Sequence, residues 1–301
     1  MTHPIRRSWP LIAALFVTPA TTAELVPDPP HDCEYCDGWS RSREPIRIFG
    51  NTWYVGGGVS SVLITSKDGH VLIDGGLTQT APQIAANIAK LGFRLEDVKL
   101  IVNSHTHYDH AGGIAALQRA SHAPVAASPA AKRALESGGP TGEDPQFDFG
   151  PAHNNFPAVA NVRVIADGET LRVGGIAITA HFTPGHTPGG TSWTWKSCEG
   201  DNCQSMVYAD SLNSVSAPGF KFSADAIRVT SFEKSIDSIA GLECGILLTP
   251  HPEAFDLEAK VASRERNPKS TAFLDSNACK AYAAGARERL AKRIAEERAT
   301  P

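Results

Sequence analysis

Three histidines and an aspartate lie within six consecutive positions of the stretch HTHYDH, residues 105–110. Side chains two residues apart along an extended segment point the same way, so His105 and His107 are placed to bind one metal ion together. Asp109 and His110 follow where the chain bends into the next element, and they are placed to bind a second ion beside the first. Imidazole and carboxylate groups are the ligands that zinc takes in proteins. The motif therefore predicts two adjacent metal ions.

Two more histidines follow strand-like segments, where a rigid scaffold usually presents functional side chains. His186 lies in the loop TPGHTPGG, whose Gly185, Gly189 and Gly190 permit close backbone approach. His251 follows the apolar run GILLTP. We expect both to complete the two metal sites. Isolated histidines are more often ordinary core or surface residues, and this interpretation covers the remaining six: His3, His31, His70, His122, His153 and His181.

Short strands alternate with helices along the rest of the chain, which favours the α/β class. Two sheets covered by helices on their outer faces would satisfy this order. The stretch 138–161, rich in Gly, Pro and Asn, is expected to be irregular. Strands are predicted at PIRIFG, TWYVG, SSVLITS, HVLIDGG, VKLIVNS, PVAAS, VRVIADG, TLRVGG, IAITAHF, GTSWTWKS, SMVYADS and CGILLTP, and helices at TAPQIAANIAKLG, GGIAALQRA, PAAKRALES, 231–240 and 277–298.

The first 23 residues have the composition of a cleaved secretory signal. Two arginines precede the apolar run WPLIAALFV, and small residues end at Ala23, with a cut after Ala20 as the alternative. A membrane anchor is disfavoured, because nine apolar residues interrupted by Pro10 are too few for a hydrocarbon layer of ~30 Å. We therefore expect a single domain over 24–301, located in the periplasm.

The charge balance argues against polyanionic partners. Removing the signal leaves 26 basic and 32 acidic residues, a formal charge of −6. Nothing basic is available to hold a nucleic acid or an anionic membrane surface. A small-molecule substrate, a single protomer and no lasting membrane attachment are expected.

Six cysteines, an even number, fit three disulfides in an oxidising compartment. Sequence alone leaves fifteen pairings open, but adjacency favours Cys198–Cys203 in a short polar loop and Cys244–Cys279. Cys33 and Cys36 then remain as a CxxC pair. Such a pair also occurs as a redox centre or half a zinc site, yet a structural bridge is favoured because no second CxxC exists.

The segments HTHYDH, TPGHTPGGTSWTW, VYADSL and LLTPHP, preceded by GNTWYVG, resemble those of metallo-β-lactamases, and within class B those of the third subclass. The resemblance covers nearly all of the chain after the signal. It implies an αββα sandwich with a dinuclear zinc site between the sheets. It also implies that the first zinc is held by His105, His107 and His186, and the second by Asp109, His110 and His251.

The implied activity is zinc-dependent hydrolysis of the β-lactam amide bond, giving resistance to β-lactam antibiotics, carbapenems included. Zinc lowers the pKa of bound water from 15.7 to about 7, so a hydroxide between the two ions is the expected nucleophile. Asp109 is expected to be a ligand and to orient that hydroxide. The resemblance further suggests that Ser211 and Asn213 bind the substrate carboxylate and that Gln146 lies near the pocket.

Other hydrolases of the same superfamily share the HTHYDH motif, and they are the alternative: thioesterases of the glyoxalase II type, lactonases and phosphodiesterases. They commonly use an aspartate that bridges both metals, a role open to Asp210. The secretion signal, the disulfides and the long TPGHTPGGTSWTW segment argue against them. A zinc-binding or adhesive surface protein without turnover is a third possibility, and it is disfavoured because six ligands leave coordination positions open for reaction.

Export generates the first testable prediction. If residues 1–23 are a cleaved signal, protein recovered from its native compartment should begin at Glu24 and contain no free thiols. Intact-mass measurement with and without thiol alkylation tests both points. Retention of Met1, or six alkylated cysteines, would contradict export through a signal.

Overall fold

Two β-sheets pack face to face and carry helices on their outer faces in residues 25–299, the part of the chain that the computed structural model describes. This is the αββα sandwich that the resemblance implies. The expected signal, residues 1–23, lies outside the described residues. Between residues 25 and 299, no helix is both long and apolar enough to cross a membrane.

Seven strands form the first sheet in chain order: β1 (Ile46–Phe49), β2 (Thr52–Tyr54), β3 (Val62–Ile64), β4 (His70–Ile73), β5 (Val98–Val102), β6 (Val125–Ala127) and β7 (Arg163–Val164). Strands β1 to β4 pair antiparallel, and β4 to β7 pair parallel. Because parallel neighbours end at the same edge, the residues that follow β4 and β5 come to lie side by side.

Five strands form the second sheet: β8 (Thr170–Val173), β9 (Ile176–Phe182), β10 (Thr191–Glu199), β11 (Asn202–Tyr208) and β12 (Ile246–Leu248). Their spatial order is β12-β11-β10-β9-β8, and only β11 and β12 pair parallel. The carboxyl ends of β11 and β12 are therefore adjacent. Cys198 and Cys203 face each other across the β10–β11 hairpin and form a disulfide.

Alternating side chains in the first sheet divide the core into two clusters. Val62 and Ile64 of β3 pack between the two sheets, whereas Leu63 packs on the opposite face beneath the helices. Val71 and Leu72 of β4 repeat this alternation, as a strand buried on both faces requires. Each such side chain stabilises the fold by about 1.5–3 kcal/mol when fully buried.

The α-helices within residues 25–299 are α1 (Cys36–Trp39), α2 (Ala81–Lys90), α3 (Tyr108–Ala111), α4 (Ile114–Ser121), α5 (Pro129–Ser137), α6 (Pro151–Asn154), α7 (Ala226–Gly241), α8 (Leu257–Arg266) and α9 (Ala278–Ala299). Helices α2, α4 and α5 cover the first sheet with residues such as Ile84, Leu117 and Leu135. Helices α7 and α9 cover the second sheet with Ile236 and Leu290.

The predicted strands and helices are confirmed, with differences at a few boundaries. Helix α7 begins five residues earlier than predicted because the Asp225 carboxylate caps it, accepting hydrogen bonds from two backbone N–H groups. Helix α8 was not predicted, since Leu257 is its one fully buried residue and the apolar periodicity is correspondingly weak. The stretch 138–161 is mostly irregular, as expected, but contains the short α6.

The structure contains the three expected disulfides: Cys198–Cys203 and Cys244–Cys279, favoured by adjacency, and Cys33–Cys36, the remaining pair. Their sequence separations of 3, 5 and 35 residues differ widely. Cys279 lies in α9 and Cys244 lies two residues before β12, so the third bridge ties a terminal helix to the second sheet.

The disulfides generate a stability prediction. Loop-closure entropy predicts that replacing Cys244 and Cys279 by serine lowers the free energy of unfolding by about 4 kcal/mol, against about 2 kcal/mol for Cys198 and Cys203. Urea unfolding of both double variants, followed by far-UV circular dichroism, measures the difference. Equal losses would show that the entropy of the unfolded chain is not the deciding factor.

Candidate metal centre

Six side chains singled out by the sequence lie together at one edge of the sandwich, where several strands end. Two follow β5, two lie in α3, one lies in the loop between β9 and β10, and one follows β12. Five are buried, and the sixth, His251, has a side chain 21% exposed. The six are His105, His107, Asp109, His110, His186 and His251.

The first group is a triangle of imidazole rings from His105, His107 and His186. Their ring centroids are 5.0, 4.8 and 4.8 Å apart, and the rings stand nearly perpendicular to one another. One nitrogen from each ring lies within 4.8 Å of the other two. These three nitrogens could therefore hold one metal ion, and three protein ligands leave a position of a four-coordinate ion for water or substrate.

In each ring of the first group, the nitrogen that faces away from the centre makes a hydrogen bond to an oxygen. His105 Nδ1 lies 2.8 Å from Asp210 Oδ1, and His107 Nε2 lies 3.3 Å from Asp144 Oδ1. The backbone oxygen of Asn213 lies 2.8 Å from His186 Nδ1. Because the outer nitrogens donate, the opposite nitrogen of each ring keeps its lone pair for a metal.

The second group consists of Asp109, His110 and His251. Asp109 Oδ2 lies 3.0 Å from His110 Nε2 and 3.4 Å from His251 Nε2, and the two Nε2 atoms are 3.2 Å apart. Ligand atoms of His105, Asp109 and His110 also lie within 4.8 Å of one another. The two groups are therefore adjacent.

Charges in the centre suit metal binding. Burial, together with the neighbouring histidines, lowers the pKa of His105 well below its usual value and that of His186 to about 3, so both are neutral at pH 7. Burial opposes ionisation of Asp109, but the neighbouring histidines, His110 first among them, together outweigh burial and hold the carboxyl pKa well below its ordinary value. Metal ligands need neutral imidazoles and an ionised carboxylate. At His110 the nearby carboxylates, Asp109 first among them, outweigh burial and raise the pKa, so a metal ion would displace the proton of this ring.

Two observations show that these residues fit metal ions. Ligands 2.0–2.1 Å from a tetrahedral ion lie about 3.3–3.4 Å apart, close to the 3.0–3.4 Å separations in the second group. In addition, the buried Nε2 atom of His105 has no hydrogen-bond partner within residues 25–299. A metal bond would satisfy this atom, whose isolation otherwise costs about 1–3 kcal/mol.

Asp210 lies behind His105 instead of facing the second group. It is fully buried, and burial raises the pKa of its carboxyl well above the usual range. Gly190 makes room for it, since a Cβ at Gly190 would lie 2.4 Å from Asp210 Oδ2. A carboxylate in this position supports a ligand and does not favour the bridging role of the alternative hydrolases.

The three residues expected to contact substrate belong to two loops, each of which contacts the first group. Asn213 contacts His186 through its backbone oxygen, and Ser211, which is 3% exposed, follows Asp210 in the same loop. Tyr282 of α9 fixes this loop through hydrogen bonds to the Asp210 oxygen and the Leu212 N–H.

The third expected substrate contact, Gln146, belongs to the irregular stretch 138–161. Its backbone N–H donates to the Asp144 oxygen that contacts His107. Sequence reasoning did not single out Asp144, which is 3% exposed. Its sequence environment, GEDPQ, carries no signal that distinguishes it from a solvated acid.

An aromatic cluster surrounds Tyr108, which lies between His107 and Asp109 in HTHYDH. The sequence did not predict this cluster. His31 stacks on Tyr108 with centroids 4.1 Å apart, and His153 meets it edge-on at 5.2 Å. Trp39 of α1 lies 5.5 Å from the His251 ring and 6.2 Å from the Tyr108 ring. His31 and His153, interpreted as ordinary histidines, therefore line the neighbourhood of the metal centre.

Comparison with known proteins agrees with this geometry. Residues 54–197 match the model of the metallo-β-lactamase superfamily. A probable metallo-hydrolase of Burkholderia pseudomallei is 32% identical over 116 residues, which is 37% of this chain and 35% of that protein, so the match spans about a third of that relative.

Solved structures match over most of the chain. The Rm3 metallo-β-lactamase is 51% identical, with 89% of this chain and 99% of that chain covered and a TM-score of 0.85. MEM-A1, a subclass B3 metallo-β-lactamase from a soil metagenome library, is 47% identical over 87% and 100%, with a TM-score of 0.83. MIM-1 from Novosphingobium pentaromativorans is 44% identical over 87% and 94%, with a TM-score of 0.82. The chain therefore belongs to the metallo-β-lactamases, a family of hydrolases, and within it to subclass B3.

The position of Asp210 generates a prediction about metal affinity. Asp210→Ala should weaken the binding of one of two metal ions by about 10- to 100-fold, because His105 loses the acceptor that orients its ring. Titration with Co²⁺ against a chromophoric chelator measures this affinity. The exposed Asp201→Ala is the control, and unchanged affinity in Asp210→Ala would contradict a supporting role.

Proposed function

We propose that this protein hydrolyses the amide bond of β-lactam antibiotics, carbapenems included, with two zinc ions, and so confers resistance to them. The observation that carries the proposal is the pair of adjacent three-ligand groups in a chain that resembles subclass B3 enzymes along almost its whole length. We further propose that it acts in the periplasm, as a single domain over 24–301 and as a single protomer.

The first zinc would be held by His105, His107 and His186, and the second by Asp109, His110 and His251. Bound zinc supplies Lewis-acid polarisation of the lactam carbonyl and lowers the pKa of water towards 7. Donor sets of this kind, rich in imidazole nitrogen with one carboxylate, are typical of zinc.

Asp109 has a second task in this proposal. Both of its short contacts to the second-group histidines use Oδ2, which leaves Oδ1 to accept a hydrogen bond from the attacking water. Because its pKa is held well below its usual value, the carboxylate is an acceptor at any physiological pH. It would orient the water towards the carbonyl carbon.

No thiol competes as nucleophile, because all six cysteines are paired in disulfides. The substrate carboxylate would be bound by Ser211 and Asn213, at the loop that Tyr282 fixes. Gln146 would contact the substrate from the opposite loop.

Metal content generates the next prediction. Purified protein should bind up to two zinc ions per chain, and His186→Ala should lose mainly one of them, because the second group is intact. Elemental analysis after dialysis, with nitrocefin hydrolysis measured before and after chelation, tests this. The exposed His122→Asn, at a position with φ 59° that asparagine tolerates, should keep both ions. Full zinc and activity in His186→Ala would overturn the ligand assignment.

Substrate binding generates a separate prediction. Ser211→Ala should reduce kcat/KM for penicillins and carbapenems by about 1.5–3 kcal/mol of transition-state stabilisation, because a hydrogen bond to a charged group is lost. Zinc content should not change. Ser214→Ala in the same loop is the control. If wild-type protein with two zinc ions hydrolyses glutathione thioesters or lactones but no β-lactam, the proposed function is wrong.

A further inference from the structure

Asp144 joins two parts of the centre that are far apart in sequence. Its side chain is 1% exposed, and its Oδ1 atom lies 3.3 Å from His107 Nε2. The same oxygen accepts a hydrogen bond of 2.8 Å from the backbone N–H of Gln146. One buried oxygen therefore contacts both a proposed metal ligand and the residue proposed to face the substrate.

The turn around Asp144 is fixed by its backbone as well. The Asp144 N–H donates to the Thr141 oxygen at 2.8 Å, and the Phe147 N–H donates to the Asp144 oxygen at 3.0 Å. The Asn154 side chain donates to the Gln146 oxygen at 2.8 Å. These hydrogen bonds restrict the orientation of the Asp144 carboxylate. A change in that orientation would therefore move the Gln146 backbone, which is hydrogen-bonded to it.

A carboxylate suits this position better than an amide does. A His107 ring that binds metal through Nδ1 presents an N–H at Nε2, which requires an acceptor. The other carboxylate oxygen, Oδ2, is buried and has no hydrogen-bond partner among the described residues. An asparagine that kept Oδ1 in place would bury an NH₂ group where Oδ2 lies, and it would offer the His107 N–H a neutral oxygen in place of a charged one, which makes a weaker hydrogen bond.

We propose that Asp144 is a positioning residue that couples metal binding by His107 to the order of the loop that carries Gln146. The proposal rests on the proposed function, because it assigns His107 to a metal and Gln146 to the substrate. It implies reciprocity: a metal ion on the first group stabilises the loop, and an ordered loop strengthens metal binding.

The first test measures metal affinity directly. Asp144→Asn and Asp144→Ala should bind one of two Co²⁺ ions about 10- to 100-fold more weakly than wild type, as loss of a ligand's outer partner typically does. Competition with a chromophoric chelator gives the affinity, and the cobalt absorption spectrum reports the altered site. Asp148, four residues on in the same loop and exposed, supplies the matched controls Asp148→Asn and Asp148→Ala, which should bind both ions normally.

The second test follows the loop itself. Hydrogen exchange of the Gln146 amide should slow when wild-type protein binds Co²⁺, and this metal-dependent protection should disappear in both Asp144 variants. With Co²⁺ saturating, KM for β-lactams should rise more than kcat falls, because the loop contacts the substrate. A residue that merely stabilised the fold would not alter the metal dependence of exchange at one amide.

The outcomes separate this proposal from the proposed function. The coupling would be overturned if Asp144→Asn bound metal as tightly as wild type and kept the metal-dependent protection of Gln146. Because Asp144→Asn preserves the side-chain volume, it still tests the proposal if Asp144→Ala does not fold. If wild type binds two ions but hydrolyses no β-lactam, the function is wrong, while the affinity and exchange measurements still decide the role of Asp144.

Discussion

The Asp74 carboxylate is the interaction on which the metal centre depends. It is fully buried at the end of β4 and accepts hydrogen bonds of 2.7–2.8 Å from the Asn103 side chain, the Ser104 N–H and hydroxyl, and the Tyr208 hydroxyl. It thus joins β4 to the segment after β5 and to β11 of the other sheet. Its left-handed backbone, at φ 61°, costs about 1–3 kcal/mol, which these bonds offset. Because Ser104 directly precedes His105, Asp74 fixes where the ligand segment begins.

Further polar contacts connect this segment to the second sheet and orient the histidines of the centre. Ser104 also accepts the Thr191 N–H through its backbone oxygen, which binds the first sheet to the start of β10. The histidines are then oriented by Asp210, Asp144 and the Asn213 oxygen. A site held this way has little reorganisation to undergo during reaction, which is what electrostatic preorganisation requires.

The residues proposed as metal ligands could be singled out from the sequence, and their proximity predicted, because their types and spacing are rare together, as in HTHYDH. The strands were predictable for a similar reason, since runs such as VKLIVNS have no other stable place than a buried sheet. The carboxylates that contact the histidines, Asp144 and Asp210, were not predictable in these roles from the sequence. Asp144 and Asp148 lie four residues apart in one loop, yet one is buried against His107 and the other is exposed. Only the tertiary packing of that loop distinguishes them.

The buried acids also explain the electrostatic balance of the centre. Asp74, Asp109, Asp144 and Asp210 are each at most 5% exposed, and burial by itself disfavours the ionised form of every one of them. The two zinc ions that we propose would bring positive charge close to these buried acids. Such charge would offset part of the cost of burying them. Neighbouring histidines outweigh burial at Asp109 and Asp144 and lower the pKa of both carboxyls, whereas burial raises the pKa of Asp74 and Asp210. A cation bound beside them would therefore favour the ionised form mainly of Asp74 and Asp210, which couples metal binding to the contacts that these two acids make.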